Sequence, residues 1–170
     1  KSMLQINYQK VSNDNYLKVF DLKSPLLLDD NSVLESKIQF DLEHENYDLT
    51  TSFEMYETLS GSNSDRFQYV LPSFDFSKNF NLNNIDGSFN FNSSGNNTLN
   101  DTNVVTSTIS NDLNYSALSK FFDNGIKTNF EIALKNINTV GKNNSTYKNS
   151  PQSELMSAYT YNASLPLIKK

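Results

Sequence analysis

Four glutamates are the first residues in this chain that could do chemistry, because two opposed carboxylates can hydrolyse a glycosidic bond. Glu43, Glu45, Glu54 and Glu57 flank a short polar segment, and a glycosidase needs two such groups roughly 5–10 Å apart over a sugar cleft. Most of them fall on the polar sides of segments in which apolar and polar residues alternate, where charged residues are ordinary surface residues. We therefore expect no enzymatic activity.

Other reactive sites are limited by the residue types that the chain lacks. It contains no Cys and one His, His44, which excludes disulfides, thiol chemistry and His-rich metal centres and leaves a Ser-His-Asp triad only formally possible. Clusters such as Asn13-Asp14-Asn15 lack the spacing of a calcium-binding EF-hand loop, and Asn and Asp are common turn residues. We expect no metal and no cofactor.

The composition indicates a folded chain with apolar residues for only one face of each element. The chain has 170 residues, of which 26 are Asn and 23 are Ser, and 36% are hydrophobic, against about 45–50% in a typical globular protein. Its net charge of −5 argues against a nucleic-acid partner. No apolar run could form a transmembrane helix, and no secretory signal opens the chain, so we expect an excised fragment or a mature chain.

The strongest structural signal is a period of two residues. Ile38, Phe40 and Leu42 alternate with charged and amide residues, as in a strand with one apolar and one polar face. Such alternation predicts an all-β antiparallel meander of about nine strands, at residues 3–10, 16–23, 33–43, 47–58, 66–82, 88–94, 103–122, 126–137 and 153–165. Short turns are predicted at 11–15, 44–46, 83–87 and 123–125, and longer loops at 24–32, 59–65, 95–102 and 138–152.

These element lengths are typical of an outer-membrane β-barrel. Several predicted strands have ten residues or more, whereas ordinary strands average about 5–6 and a tilted bilayer-spanning strand needs about 9–11. Alternating turns and loops would put the turns on one rim and the loops on the other, as in such barrels. A sheet in a bilayer has to close so that every backbone group is paired, and the closing strands would lie outside this chain.

The segment around Pro72 changes phase. Tyr69 and Leu71 share one parity, whereas Phe74 and Phe76 share the other. A proline cannot donate to a strand ladder, so a β-bulge there would keep all four apolar side chains on one face. The alternative is two short strands that meet at a turn.

Three ordered motifs resemble the first half of the barrel domain of LptD, the lipopolysaccharide-assembly protein of the outer membrane. Residues 14–22 (DNYLKVFDL) are similar to the family's D-x-Y-L-[RK]-x-[YF]-[DN] strand, residues 56–59 (YETL) to its y-[QE]-T-L, and residues 69–74 (YVLPSF) to its Y-x-x-L-P-x-[ILF]. Residues 24–26, 111–115 and 164–168 are also similar to the family. The residues that carry the motifs are Tyr16, Leu17, Tyr69, Leu71 and Pro72.

The resemblance implies a non-enzymatic role in the outer membrane of a Gram-negative bacterium. Residues 1–170 would be part of the barrel domain, preceded by a periplasmic jellyroll domain and followed by the closing strands. Lipopolysaccharide would arrive over a bridge of LptA-like jellyrolls and leave through a lateral opening, with an LptE-like lipoprotein as the plug. This segment has no Cys, so it cannot take part in the disulfides found in part of the family, and gate residues are not carried over.

The alternation then assigns two sets of residues. Polar residues expected to line a wet lumen are Gln39, Asp41, Glu54, Asn114, Lys127 and Glu131. Apolar residues expected to face acyl chains are Ile38, Phe40, Phe53, Ile109, Phe130 and Ile132. Two alternatives stay open: a different outer-membrane barrel, such as a porin or receptor, and a secreted β-sandwich binding module whose core the same apolar residues would form.

Overall fold

The chain forms one antiparallel β-sheet and one short helix in the residues that the computed structural model describes, which are 1–20, 32–60, 65–80 and 86–165. The strands are β1 (Ser2–Asn7), β2 (Val33–Glu43), β3 (Tyr47–Thr58), β4 (Phe67–Phe80), β5 (Gly87–Asn100), β6 (Val104–Ala117), β7 (Lys120–Phe121), β8 (Lys127–Lys142) and β9 (Gln152–Ser164). The helix α1 spans Tyr16–Phe20.

The strands follow one another across the sheet in chain order. Each of β1 to β5 pairs antiparallel with the next strand, β6 pairs with β8, and β8 pairs with β9. The two-residue β7 pairs with the start of β8 and continues the line of β6. Over the described ranges the sheet is open, with β1 and β9 at its edges. The predicted all-β antiparallel meander of nine strands is confirmed at this level.

The prediction of a strand at 16–23 is wrong, because Tyr16–Phe20 is helical and the rest of that segment lies outside the described residues. The preceding Asn-Asp-Asn turn starts the helix: the backbone amide of Tyr16 donates to the carbonyl oxygen of Asn13 at 3.0 Å. The helix buries Leu17 in a small cluster with Leu34 and Leu59. Burial of this leucine against two others favours the helical turn over the extended form that the alternation suggested.

The predicted loop at 95–102 is also wrong, because β5 continues to Asn100. Leu99 is the one residue of the predicted loop with a large apolar side chain, so the segment reads as a loop when no partner strand is considered. In the sheet, β5 pairs with β4 as far as Leu99 and with β6 as far as Asn100, and these ladders satisfy its backbone. Likewise β8 extends to Lys142 inside the predicted loop at 138–152, and the predicted strand at 103–122 is split into β6 and β7.

The predicted division into a turn rim and a loop rim fails at one connection. The first rim carries 44–46, 81–86 and, on either side of β7, 118–119 and 122–126, and the second rim carries 8–32, 59–66, 101–103 and 143–151. The three-residue connection 101–103 lies on the second rim, where a longer loop was predicted. The turn predicted at 123–125 is confirmed, since Gly125 has a φ of 81° and its amide donates to the Phe122 carbonyl. The predictions for 24–32, 59–65 and 83–87 lie largely outside the described residues.

The bulge predicted at Pro72 is confirmed. The segment Phe67–Phe80 is one strand, and its pairing with both β3 and β5 shifts register between Val70 and Ser73. Tyr69 is opposite Met55 and Phe74 is opposite Thr51. These two partners have the same parity on β3, so the bulge keeps Tyr69 and Phe74 on one face of the sheet.

Gly95 lies where an aromatic ring crosses the middle of the sheet. A Cβ atom there would lie 2.7 Å from the Phe74 ring and 2.9 Å from the carbonyl oxygen of Thr108. We expect Gly95→Ala to lower the free energy of unfolding by about 1–3 kcal/mol, because a ring and a backbone group would both have to move. Denaturant titration measures the loss, with Ser94→Ala on the other face as the control. Similar losses in the two variants would mean that the ring does not cover position 95.

Candidate functional site

The candidate site is the pair of faces that the sheet presents. Residues opposite each other in an antiparallel pair point to the same side, and neighbours along a strand point to opposite sides. Following the register through the bulge puts one candidate set on the first face, which we call the apolar face: Ile38, Phe40, Phe53, Ile109, Phe130 and Ile132. The other set lies on the opposite face, which we call the polar face: Gln39, Asp41, Glu54, Asn114, Lys127 and Glu131. That these faces meet lipid and water stays a prediction.

The apolar face is open to its surroundings. Ile38 and Phe53 are cross-strand partners, yet they are 47% and 48% exposed. Phe40, Ile109 and Ile132 are also exposed. Every contact between described strands joins neighbours in the sheet, and α1 packs Leu17 on Leu34 at the second-rim end of this face; no other described element covers it.

Aromatic rings lie in two groups near the first rim. Tyr47 and Phe91 both contact Phe76, with ring centroids 6.1 and 6.2 Å apart. Phe130 lies between Tyr115, at 5.6 Å, and Tyr159, at 6.1 Å. Together the two groups form what we call the aromatic row, whose members are Tyr47, Phe76, Phe89, Phe91, Tyr115, Phe130 and Tyr159. Its place near the strand ends is where aromatic residues of a membrane protein lie at the interface.

The polar face is held together around Glu54. The carboxylate of Glu54 accepts hydrogen bonds from Ser52 Oγ at 2.7 Å and from Tyr56 OH at 2.8 Å, and it pairs with Lys37 Nζ at 3.1 Å. Ser52 Oγ is also 2.6 Å from Ser73 Oγ. The side chain of Glu54 is only 13% exposed, so this network joins β2, β3 and β4 in a crowded setting.

The other five polar candidates form two pairs and one separate residue. Asp41 accepts hydrogen bonds from Gln39 Nε2 and from Thr50 Oγ1, each at 2.9 Å, which brings Gln39 and Asp41 together near the first rim. Asn114 and Glu131 line a shallow depression of about 300 Å³ farther along the sheet. Lys127 is exposed, and the structure does not bring it into contact with the other candidates.

Sequence reasoning missed Lys37, Ser52 and Tyr56 as members of the Glu54 network. Counting outward from the turn predicted at 44–46 would pair Glu43 with Tyr47 and put Lys37 opposite Phe53, whereas the observed register pairs Glu43 with Asp48 and Lys37 with Glu54. Ser52 and Tyr56 are two residues from Glu54 on the same strand. They therefore share its face, but nothing in the alternation distinguishes them from solvent-exposed polar residues.

The motif residues of the resemblance lie apart in the structure. Tyr16 and Leu17 are in α1, and Leu17 is buried. Tyr69, Leu71 and Pro72 are in β4, at and just before the bulge. Leu17 packs the N-terminal segment against Leu34 and Leu59, whereas Tyr16 is exposed. The other three lie where the phase of β4 changes.

One arginine fastens the N-terminal segment to the second rim. Arg66 Nη2 lies 2.9 Å from Asp14 Oδ1 and 2.9 Å from Glu57 Oε1. The hydrogen bond to Asp14 raises the pKa of the Arg66 guanidinium above its usual value. Glu57, one of the four glutamates considered for catalysis, therefore forms an ion pair with Arg66.

The described residues contain no group of three or more His, Asp or Glu side chains placed to hold a metal ion. No helix in the described ranges is long and apolar enough to span a membrane. No family model matches the chain, and a search of curated proteins finds no significant match. The chemistry of the site is therefore that of two surfaces, one apolar and one rich in hydrogen-bonding groups.

We expect Glu54→Ala to lower the free energy of unfolding by about 1–3 kcal/mol, because it removes the acceptor of the buried Ser52 hydroxyl, the nearer acceptor of the Tyr56 hydroxyl and the partner of Lys37. The control is Asp112→Ala, which breaks the exposed pair with Lys135 and should cost about 0–1 kcal/mol. Denaturant titration of both variants measures the difference. If Glu54→Ala costs no more than the control, the network does not hold β2, β3 and β4 together.

Proposed function

We propose that this sheet is an arc of an outer-membrane β-barrel, with its apolar face toward lipid and its polar face toward a water-filled lumen. The observation that carries the proposal is the exposure of apolar side chains on a single-layered sheet, which is sharpest on β2 and β3. Phe53 is 48% exposed, whereas Ser52, its neighbour on the other face, is 3% exposed. A water-soluble sheet buries its apolar face instead.

On β2 and β3 the same contrast supports a curved sheet. No described element covers Gln39, Ser52 or Glu54, so these side chains are shielded by their neighbours on the sheet. Side chains crowd in this way on the concave side of a curved sheet and spread apart on the convex side. A concave polar face and a convex apolar face are the arrangement of a membrane barrel that encloses water.

The register supports closure, because barrel strands must be staggered. A row of direct partners runs across the sheet through Leu42, Leu49, Phe76, Ser93, Asn111, Asn136 and Leu155. The row begins beside the end of β2, at the first rim, and finishes near the start of β9, at the second rim. Such one-directional stagger is what tilted barrel strands require, and β2 to β6, β8 and β9 have 11–16 residues each, enough to cross a bilayer at a tilt.

Within barrels, we propose the lipopolysaccharide-assembly role, on the strength of the resemblance to LptD. The chain would then be part of a non-enzymatic translocon that inserts lipopolysaccharide into the outer leaflet. Its partners would be an LptE-like plug lipoprotein and an LptA-like jellyroll bridge, with no nucleic acid. The hydrogen-bonding groups of the polar face, including Gln39, Asp41 and Glu54, suit a passage for a hydrated sugar head group. A porin or receptor barrel has the same two faces, whereas a two-sheet sandwich does not fit the single layer of the described residues.

We expect Ile38→Lys and Gln39→Lys to differ sharply, because the two neighbours point to opposite faces. A charge on the lipid side near the middle of a strand costs about 2–4 kcal/mol, whereas lumen substitutions cost little. Gln39→Lys also keeps a partner for Asp41, which now accepts from the glutamine amide. Refolding of the full-length protein into lipid vesicles under denaturant titration measures both. Equal losses would refute the assignment of the faces.

The function itself is tested in cells by depleting the full-length protein. We expect it in the detergent-extracted membrane fraction, and we expect its depletion to reduce lipopolysaccharide at the cell surface. Membrane location without any change in surface lipopolysaccharide would identify a barrel of another function. Recovery of the intact protein from the soluble fraction would refute the barrel.

A further inference from the structure

The charged residues of the strands are divided unequally between the two faces. When the register is followed across the sheet, Glu57 is the one strand carboxylate on the apolar face, and it is paired with Arg66. The other charged residues of the apolar face are Lys78, Lys120 and Lys142. In the described strands, the charge of the apolar face that is not neutralised within the sheet is therefore positive.

These three lysines lie at or near strand ends. Lys78 is two residues from the end of β4, Lys120 begins β7 and Lys142 ends β8. In the proposed barrel, strand ends are where the hydrocarbon gives way to the lipid headgroups. Lysines in that layer attract anionic headgroups, whereas carboxylates repel them.

Lys142 also lines a cavity of about 340 Å³ at the second-rim end of the apolar face. The other lining residues are Val105, Val140, Gly141 and Asn149. Lys142 is the cross-strand partner of Val105 and lies two residues from Val140 on β8, so its side chain shares a face with both valines. A cavity with apolar walls and one cationic lining group suits an amphiphile with a negatively charged head.

The loop between β8 and β9 forms one wall of this cavity through Asn149, and hydrogen bonds hold the loop in place. The amide of Gly141 donates to the carbonyl oxygen of Lys148 at 2.8 Å. Asn143 Nδ2 donates to the carbonyl oxygen of Asn103 at 3.0 Å. These bonds fasten the loop to β8 and to the residue that precedes β6, so the cavity is preformed, as ligand sites usually are.

The polar side chains that line the cavity have donors to spare. Neither the Lys142 ammonium nor the Asn149 amide forms a hydrogen bond or an ion pair with a residue in the described ranges. Asp101 lies in the neighbouring turn between β5 and β6, and it forms no ion pair with Lys142. Ammonium and amide N–H groups are donors that phosphate oxygens accept, so a phosphate group would satisfy both side chains.

We infer that this cavity binds an anionic glycerophospholipid, with the headgroup phosphate at Lys142 and Asn149 and the first part of the acyl chains against Val105 and Val140. The inference rests on the proposed function and adds a lipid site to it. One ammonium group balances the single negative charge of a phosphodiester, whereas a zwitterionic headgroup brings its own cation and gains less. The apolar walls favour a lipid over a free phosphate ion, which would leave them exposed to water.

Native mass spectrometry of the full-length protein in detergent tests the site, because it resolves individual bound lipids. The titrants are phosphatidylglycerol, phosphatidylcholine with the same acyl chains, and glycerol 3-phosphate, which has the phosphate without the chains. The test variant is Lys142→Gln. The matched control is Lys135→Gln on the same strand, because Lys135 lies on the polar face, where it pairs with Asp112. Circular dichroism verifies that both variants retain their strands.

We expect the unmodified protein to bind one phosphatidylglycerol several-fold more tightly than phosphatidylcholine or glycerol 3-phosphate. Lys142→Gln should lose this preference, and Lys135→Gln should retain it.

The inference on the lipid site is overturned, and the barrel is left intact, by any of four results with bound lipid present. These are equal binding of the two lipids, equal binding of glycerol 3-phosphate, a preference that survives Lys142→Gln, and a preference that both variants lose. A full-length protein that stays folded and monodisperse without detergent, and that retains neither lipid, would overturn the proposed function itself.

Discussion

The two-residue period of the strands, carried from strand to strand by the register, is the constraint on which this molecule depends. Each direct pair puts two side chains on the same side, so one misplaced residue would exchange the faces of all later strands. The bulge at Pro72 is the point where this would happen. It absorbs one extra residue in β4, and Tyr69 and Phe74 stay on the same face as a result.

The two faces of the sheet differ in chemistry, and the proposed membrane placement rests on that difference. Burial in the described residues is sparse: the buried apolar side chains are Leu17, Leu34, Leu59 and Ala117. Three of them join α1 to the ends of β2 and β3, so they attach the N-terminal segment and do not form a core under the sheet. In the proposed barrel, lipid on one side would supply the apolar surroundings that these described residues do not supply for one another.

Much of the strand pattern could be predicted, and the errors have a common cause. Segments with strict alternation, such as β2 and β3, were predicted with their observed bounds. Residues 95–100 were not, because Leu99 alone among them has a large apolar side chain, and only pairing with β4 and β6 makes them a strand. Residues 16–20 alternate like a strand but form a helix, because a contact between Leu17 and the distant Leu34 and Leu59 outweighs the local pattern.

The sequence by itself determined the period, and therefore which residues share a face within each strand. It also determined the place of the bulge, because a proline cannot donate to the ladder and the parity changes there. Only the tertiary structure decided the partners across strands, such as Lys37 with Glu54 and Asn136 with Ser153. It also decided that Ser52 and Glu54 are enclosed, whereas Asn114 and Glu131 on the same face are exposed. These properties depend on the register, which arises between strands and leaves no trace in the alternation along any one of them.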